Sequence, residues 1–205
     1  MMLPTHVLAG MLLAAPLVRV APELATVGFV AGFLGGLFPD LDMYTGHRKT
    51  LHYPVYYSAA AVVALVVALA ALSALTVAAA LFLLGAALHS VSDVYGGGLE
   101  LRPWEGNSDR AVYDHYRERW VAPRPGVRYD GAAEDLALSI GLAFPLLFLL
   151  YGPLRLVVLG TLLVAAAYTV LRRHLAELAA LVIPLVPAAL TPYLPDRYAD
   201  EEHFE

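Results

Sequence analysis

The chain has 205 residues, 60% of them hydrophobic and only 15% charged, where a soluble domain carries about 25% charged residues. That balance excludes an ordinary soluble domain. The absence of cysteine excludes disulfides and thiolate metal ligands, and a net charge of -5 argues against nucleic acid as a partner.

The apolar residues run in long blocks, so the expected fold is all-α: a polytopic transmembrane helical bundle forming a single membrane domain over 1–205. Pro4 and Thr5 open the first run at a place where proline does little harm and threonine can cap. No basic residue precedes it, so 5–21 reads as a retained membrane helix and not a signal peptide. The second run, 24–38, carries Gly28, Gly32, Gly35 and Gly36, small residues that let helix backbones approach closely in lipid. A segment of that length reaches only about 22 Å, against a bilayer core of roughly 30 Å, and is either a short span or a re-entrant element.

Pro39 ends that run and opens a polar stretch containing Asp40, Asp42, His47, Arg48, Lys49 and His52. No charged residue occurs from Pro54 to Leu88, and Ser73 marks a turn between expected helices 55–72 and 74–91. Gly96-Gly97-Gly98 opens a polar interfacial insertion over 96–135, in which 109–120, with its Trp and Arg residues, reads as a short amphipathic helix. Apolar runs at 136–150, 154–171 and 178–190 bring the expected count to about seven spans, followed by an acidic tail at 196–205.

Alternating passes place three polar clusters on one membrane face: His6, the Asp40/Asp42 pair, and the His89/Asp93 pair. Arg48, Lys49, Arg172 and Arg173 on that side, against Arg19, Arg155 and Arg197 opposite, assign it to the cytoplasmic side of an inner (cell) membrane. Asp40 and Asp42 sit two apart, and neighbouring carboxylates repel unless a cation or proton lies between them; capping of a turn is the plainer alternative. His89 and Asp93 are four apart, hence on one helix face. His6 is an ionisable group in the first turn of an apolar helix, a costly placement. One or two divalent metal ions are therefore expected on His6, Asp40, Asp42, His89 and Asp93, with zinc or manganese favoured over magnesium. His47 and His52 are open between ligand, ligand-orienting and general acid–base roles. Arg48 has the fork that clamps phosphoryl or carboxylate oxygens, so His47, His52 and Arg48 form the expected catalytic set. Lys49 reads as a headgroup contact, and Asp114, His115 and Glu118 as a solvated helix face. No phosphate loop, serine-hydrolase elbow or H-E-x-x-H motif is present.

Thr5-His6 with Gly10, then Pro39-Asp40-Leu41-Asp42, His47-Arg48, His52, and His89-x-x-x-Asp93, resemble the ordered motifs of the YdjM family of inner-membrane, predicted metal-dependent hydrolases. The resemblance covers roughly the first hundred residues. Where that family reads His-Arg-Gly-x-Thr-His-Ser, this chain reads His47-Arg48-Lys49-Thr50-Leu51-His52-Tyr53, keeping both histidines and the arginine. The resemblance implies a membrane-bound metal-dependent hydrolase. A site at headgroup depth points to membrane lipids as partners and to a lipid or amphiphilic phosphoester as substrate. A metal-handling protein or transporter would instead spread its ligands along a path to mid-membrane. A structural protein would use the metal only to staple loops, with no open coordination position.

Overall fold

The computed structural model describes residues 1–187, 189, 190 and 194. Nine elements follow in chain order: α1 (Leu3–Leu12), α2 (Leu17–Val20), α3 (Pro22–Leu37), α4 (Pro54–Ala70), α5 (Ala74–Ser92), β1 (Val112–Asp114), β2 (Arg119–Val121), α6 (Ala133–Leu149) and α7 (Gly152–Val182). The result is an all-α, multi-pass bundle with one small hairpin. Four stretches are long and apolar enough to cross a membrane: Leu3–Val20, Pro22–Asp42, Ala74–Tyr95 and Gly152–Leu185. α4 is apolar but has 17 residues, and α6, also 17, carries Glu134 and Asp135 in its first turn.

Glycine decides how the first five helices meet. A Cβ on Gly10 of α1 would lie 2.1 Å from the carbonyl oxygen of Gly32 on α3, and one on Gly32 would lie 2.1 Å from that of Gly10. One step along α3, a Cβ on Gly36 would lie 2.4 Å from the His6 carbonyl oxygen. Backbone therefore packs on backbone, the small-residue contact expected of helices in lipid. Around it, Leu8 and Met11 of α1, Phe29 of α3, Leu81 of α5, Leu146 of α6 and Val158 of α7 form the buried core. Gly36→Val has no backbone room, and overpacking of this kind costs about 3 kcal/mol. A clear drop in the thermal midpoint of the detergent-solubilised protein is expected; an unchanged midpoint would show that α1 and α3 do not approach this closely.

Two further devices hold the bundle, one at each end. Ser73 caps α5 in a reciprocal capping box with Thr76, which turns the chain between α4 and α5. Asp135, fully buried at the start of α6, accepts from Thr5 Oγ1 (2.5 Å), the Met2 backbone N–H (2.7 Å) and the Gly131 backbone N–H (3.0 Å), anchoring the first turn of α1 and with it His6.

The chain departs from its sequence-based reading in three places. The first helix, expected unbroken over 5–21, loosens into turns between α1 and α2. The expected amphipathic helix at 109–120 is a β-hairpin pairing Val112 with Val121, Tyr113 with Trp120 and Asp114 with Arg119. Asp114 accepts from the backbone N–H groups of Tyr116 and Arg117, and Glu118 adopts φ +52°, so a side-chain-capped turn displaces the helix between β-forming residues. Finally, the stretches read as helices at 154–171 and 178–190 are one continuous α7 through Val182, which lowers the expected count of seven. Arg172, Arg173 and His174 mark a boundary, but charge alone does not end a helix that meets no glycine or proline there. The tail expected at 196–205, and part of 178–190, lie outside the described residues.

Candidate metal centre

The polar end of the bundle gathers residues from four segments. α3 runs into a 3-10 turn over Phe38–Asp42, with Pro39 at its start. In that tighter turn Asp40 and Asp42 have different surroundings. Asp42 is fully buried, and its carboxylate accepts from His52 Nδ1 (2.9 Å), His47 Nδ1 (3.1 Å) and the Leu51 backbone N–H (3.0 Å). Asp40 faces elsewhere, towards His89 and His52. The last turn of α5 contributes His89 and, at its end, Asp93, both about 1% exposed.

Four donor atoms converge: Asp40 Oδ1, His52 Nε2, His89 Nε2 and Asp93 Oδ2. Their separations are 3.3 Å for Asp40–His89, 3.6 Å for Asp40–His52, 3.3 Å for His52–His89, 3.3 Å for His52–Asp93 and 3.4 Å for His89–Asp93. A tetrahedron of ligands at about 2.0–2.1 Å from a metal has edges of about 3.3–3.4 Å. Five of the six separations fall at or near that range, and the sixth, Asp40–Asp93, is within 4.8 Å, so the four atoms are close enough to share one ion.

The outward ring nitrogens explain why these atoms face one another. His89 Nδ1 lies 2.6 Å from the Gly36 carbonyl oxygen, which can only accept, so Nδ1 carries the proton. His52 Nδ1 donates to Asp42 in the same way. Each Nε2 then faces inward, where it can offer a lone pair to a cation or, on a protonated ring, a proton to a carboxylate; this is the orientation that a carboxylate or carbonyl behind a metal-ligating histidine enforces. Two ring nitrogens and two carboxylate oxygens this close need a cation or shared protons among them. The close approach of Gly36 to α1 and α5 is what delivers its carbonyl to His89.

Behind this shell lie further polar groups. His6 stacks on His89 with ring centroids 3.6 Å apart and places Nε2 2.9 Å from Asp93 Oδ1. The Met1 nitrogen is 2.7 Å from the same oxygen. Arg48, at φ +59° and 4% exposed, donates to the Gly97 carbonyl at 2.8 Å and holds its Nε 3.5 Å from Asp93 Oδ2. Burial disfavours the charged form of Arg48, but Asp93, Asp130 and Asp40 together raise its pKa above the ordinary value. Burial likewise opposes protonation of His52, yet hydrogen bonds to Asp42 and Asp93 raise its pKa above that of an ordinary imidazole.

A cavity of about 520 Å³ adjoins the cluster. Its polar end is formed by Asp40, His47, Arg48, Asp130 and Tyr168, and its walls come from α1, α3 and α7. Asp40, with 11% of its side chain exposed, is the one of the four donors that borders this space.

The expected ligands therefore separate. Asp40, His89 and Asp93 lie in the four-donor group; His6 and Asp42 touch it from behind; His52, expected among the catalytic residues, is its fourth member. His47 and Arg48 border the cavity. Lys49 lies over the Tyr113 ring, and His115 bonds the Lys49 carbonyl, outside the donor group. Asp130, Tyr168 and Arg172 form a buried network not anticipated from the sequence: Tyr168 donates to Asp130, and Arg172 pairs with it at 3.1 Å while reaching the Leu101 carbonyl. Their separations along the chain, 38 and 42 residues, leave no local pattern to read. No protein-family model, no curated protein and no solved structure matches this chain.

Proposed function

We propose that the protein is a membrane-bound, metal-dependent hydrolase acting on a lipid or amphiphilic phosphoester at the cytoplasmic interface of the cell membrane. One observation carries this reading: four His and Asp donors within 4.8 Å of one another sit beside a largely apolar cavity that Asp40 borders. Two imidazoles and two carboxylates suit zinc or manganese better than magnesium, which prefers oxygen and water ligands. The motif resemblance to the YdjM family supports the same class of activity.

In this reading Asp40, His52, His89 and Asp93 hold the ion, while His6 and Asp42 orient Asp93 and His52. A divalent ion bound there supplies Lewis acidity, which acidifies water and polarises the ester. His47, set by the Asp42 carboxylate and bordering the cavity, takes the proton from attacking water and passes it to the leaving alcohol. Water oxygen bonds to phosphorus, the ester P–O bond breaks, and the products are an alcohol and a phosphate. Arg48 places positive charge beside the phosphoryl oxygens.

A second reading has support in the count of donors: four protein ligands complete a tetrahedral zinc, as in structural sites. Turnover separates the two. Protein in lipid nanodiscs, supplied with Zn²⁺ or Mn²⁺, is expected to release alcohol and phosphate from alkyl phosphates, with the activity lost on chelation. A fully metal-loaded protein with no turnover across phosphate mono- and diesters would leave the stapling role.

A further inference from the structure

The cavity beside the donor group is lopsided. Its polar residues lie at one end, while Leu3 and Val7 of α1, Phe33 and Leu37 of α3, and Val157 and Val164 of α7 line the rest. These walls belong to three of the stretches apolar enough to cross a membrane. An apolar trough running along membrane-spanning helices from an end where Asp40 and Asp130 lie with His47 and Arg48 suits an amphiphile whose phosphate meets a divalent ion held at that end. Its volume bounds the number of chains. If a methylene occupies about the volume of a water, ~30 Å³, then about 520 Å³ holds roughly a dozen carbons of one alkyl chain with its headgroup, and a longer chain continues past the exposed Gly160 into the bilayer.

Gly160 is where this trough crosses α7. A Cβ added there meets no heavy atom within 4 Å, although Gly160 lines the cavity. Unlike Gly10, Gly32 and Gly36, it is not required by a neighbouring backbone; it is exposed, so it stands at the open edge of the cavity, where a larger side chain can be added.

We propose that this cavity is a binding site for the single apolar chain of a lipid phosphate, entering along α7, and that Gly160 is the residue that admits it. The assignment of the phosphate end rests on the metal-hydrolase reading, while the chain site does not. Charge does not choose between a chain-bearing phosphate and a free phosphate, since the polar end presents the same groups to both. The apolar walls separate them.

The test uses the full protein in lipid nanodiscs, probed with hexadecyl phosphate carrying a photoreactive diazirine along its chain, and peptide mapping of the adducts. Labelling is expected at Val7, Phe33 and Leu37, which line the cavity and are not exposed, whereas Val157 and Val164 also meet the bilayer. Gly160→Phe, which fills the trough without a backbone clash, is expected to cut that labelling at least tenfold. Leu156 and Leu163 of α7, 68% and 72% exposed, report ordinary bilayer contact and are expected to label equally in both proteins. Excess hexadecyl phosphate is expected to compete, and inorganic phosphate or butyl phosphate is not. Cavity labelling no stronger than that of Leu156 and Leu163, labelling unchanged in Gly160→Phe, or equal competition by butyl phosphate would each overturn the chain site. Metal content measured on the same samples keeps this result distinct from failure of the hydrolase reading, because Gly160→Phe leaves all four donors in place.

Discussion

Asp93→Asn is expected to remove the bound metal and to destabilise the protein at the same time. Asp93 Oδ2 faces His52, His89 and Arg48, and its Oδ1 accepts from His6 and the Met1 nitrogen. The substitution deletes one ligand charge from a set of four and leaves Arg48 buried without its nearest counter-charge. Breaking one partner of a buried pair costs about 3–5 kcal/mol. Loss of metal on dialysis, together with a large fall in thermal midpoint, is the expected outcome. Because a poorly folded variant would also lose metal, His89→Gln serves as the control: it removes a ligand but no charge, and is expected to keep the fold while releasing the ion. Retention of metal by both variants would show that the donors do not form one site.

His47→Gln is expected to separate chemistry from binding. His47 borders the cavity and is held by Asp42, yet it lies outside the four-donor group. Removal of a positioned general acid–base group lowers turnover by about 10²–10⁴-fold. The expected result is a fall of that size in kcat, with one metal still bound, KM little changed and the thermal midpoint near that of the parent. Asp42 continues to hold His52 and the Leu51 N–H in this variant. Loss of metal alongside activity would make His47 a ligand, and unchanged kcat would remove it from the reaction.

Much of this architecture is legible in the sequence, and the exceptions have physical causes. His89 and Asp93 read as a pair because four residues along a helix return to the same face. The glycines at 28, 32, 35 and 36 announce close helix contact, and Gly10 and Gly36 indeed meet backbone on their neighbours. The division of labour between Asp40 and Asp42 is not readable. It follows from a 3-10 turn whose geometry sends one carboxylate to His89 and the other to His52 and His47. For the same reason, spacing alone does not distinguish His52, inside the donor group, from His47, beside it. The hairpin at Val112–Val121 hides because Asp114 and Glu118 suit a helix face as well as a turn. The Asp130–Arg172 pair, 42 residues apart, is created by packing the insertion against α7.

Elemental mass spectrometry of the protein purified in mild detergent tests the central claim most directly. Four donors within 4.8 Å of one another predict about one zinc or manganese ion per chain, retained through dialysis and lost in His89→Gln. An intact, folded protein that binds no divalent ion, even after Zn²⁺, Mn²⁺ or Mg²⁺ is added back, would contradict the account.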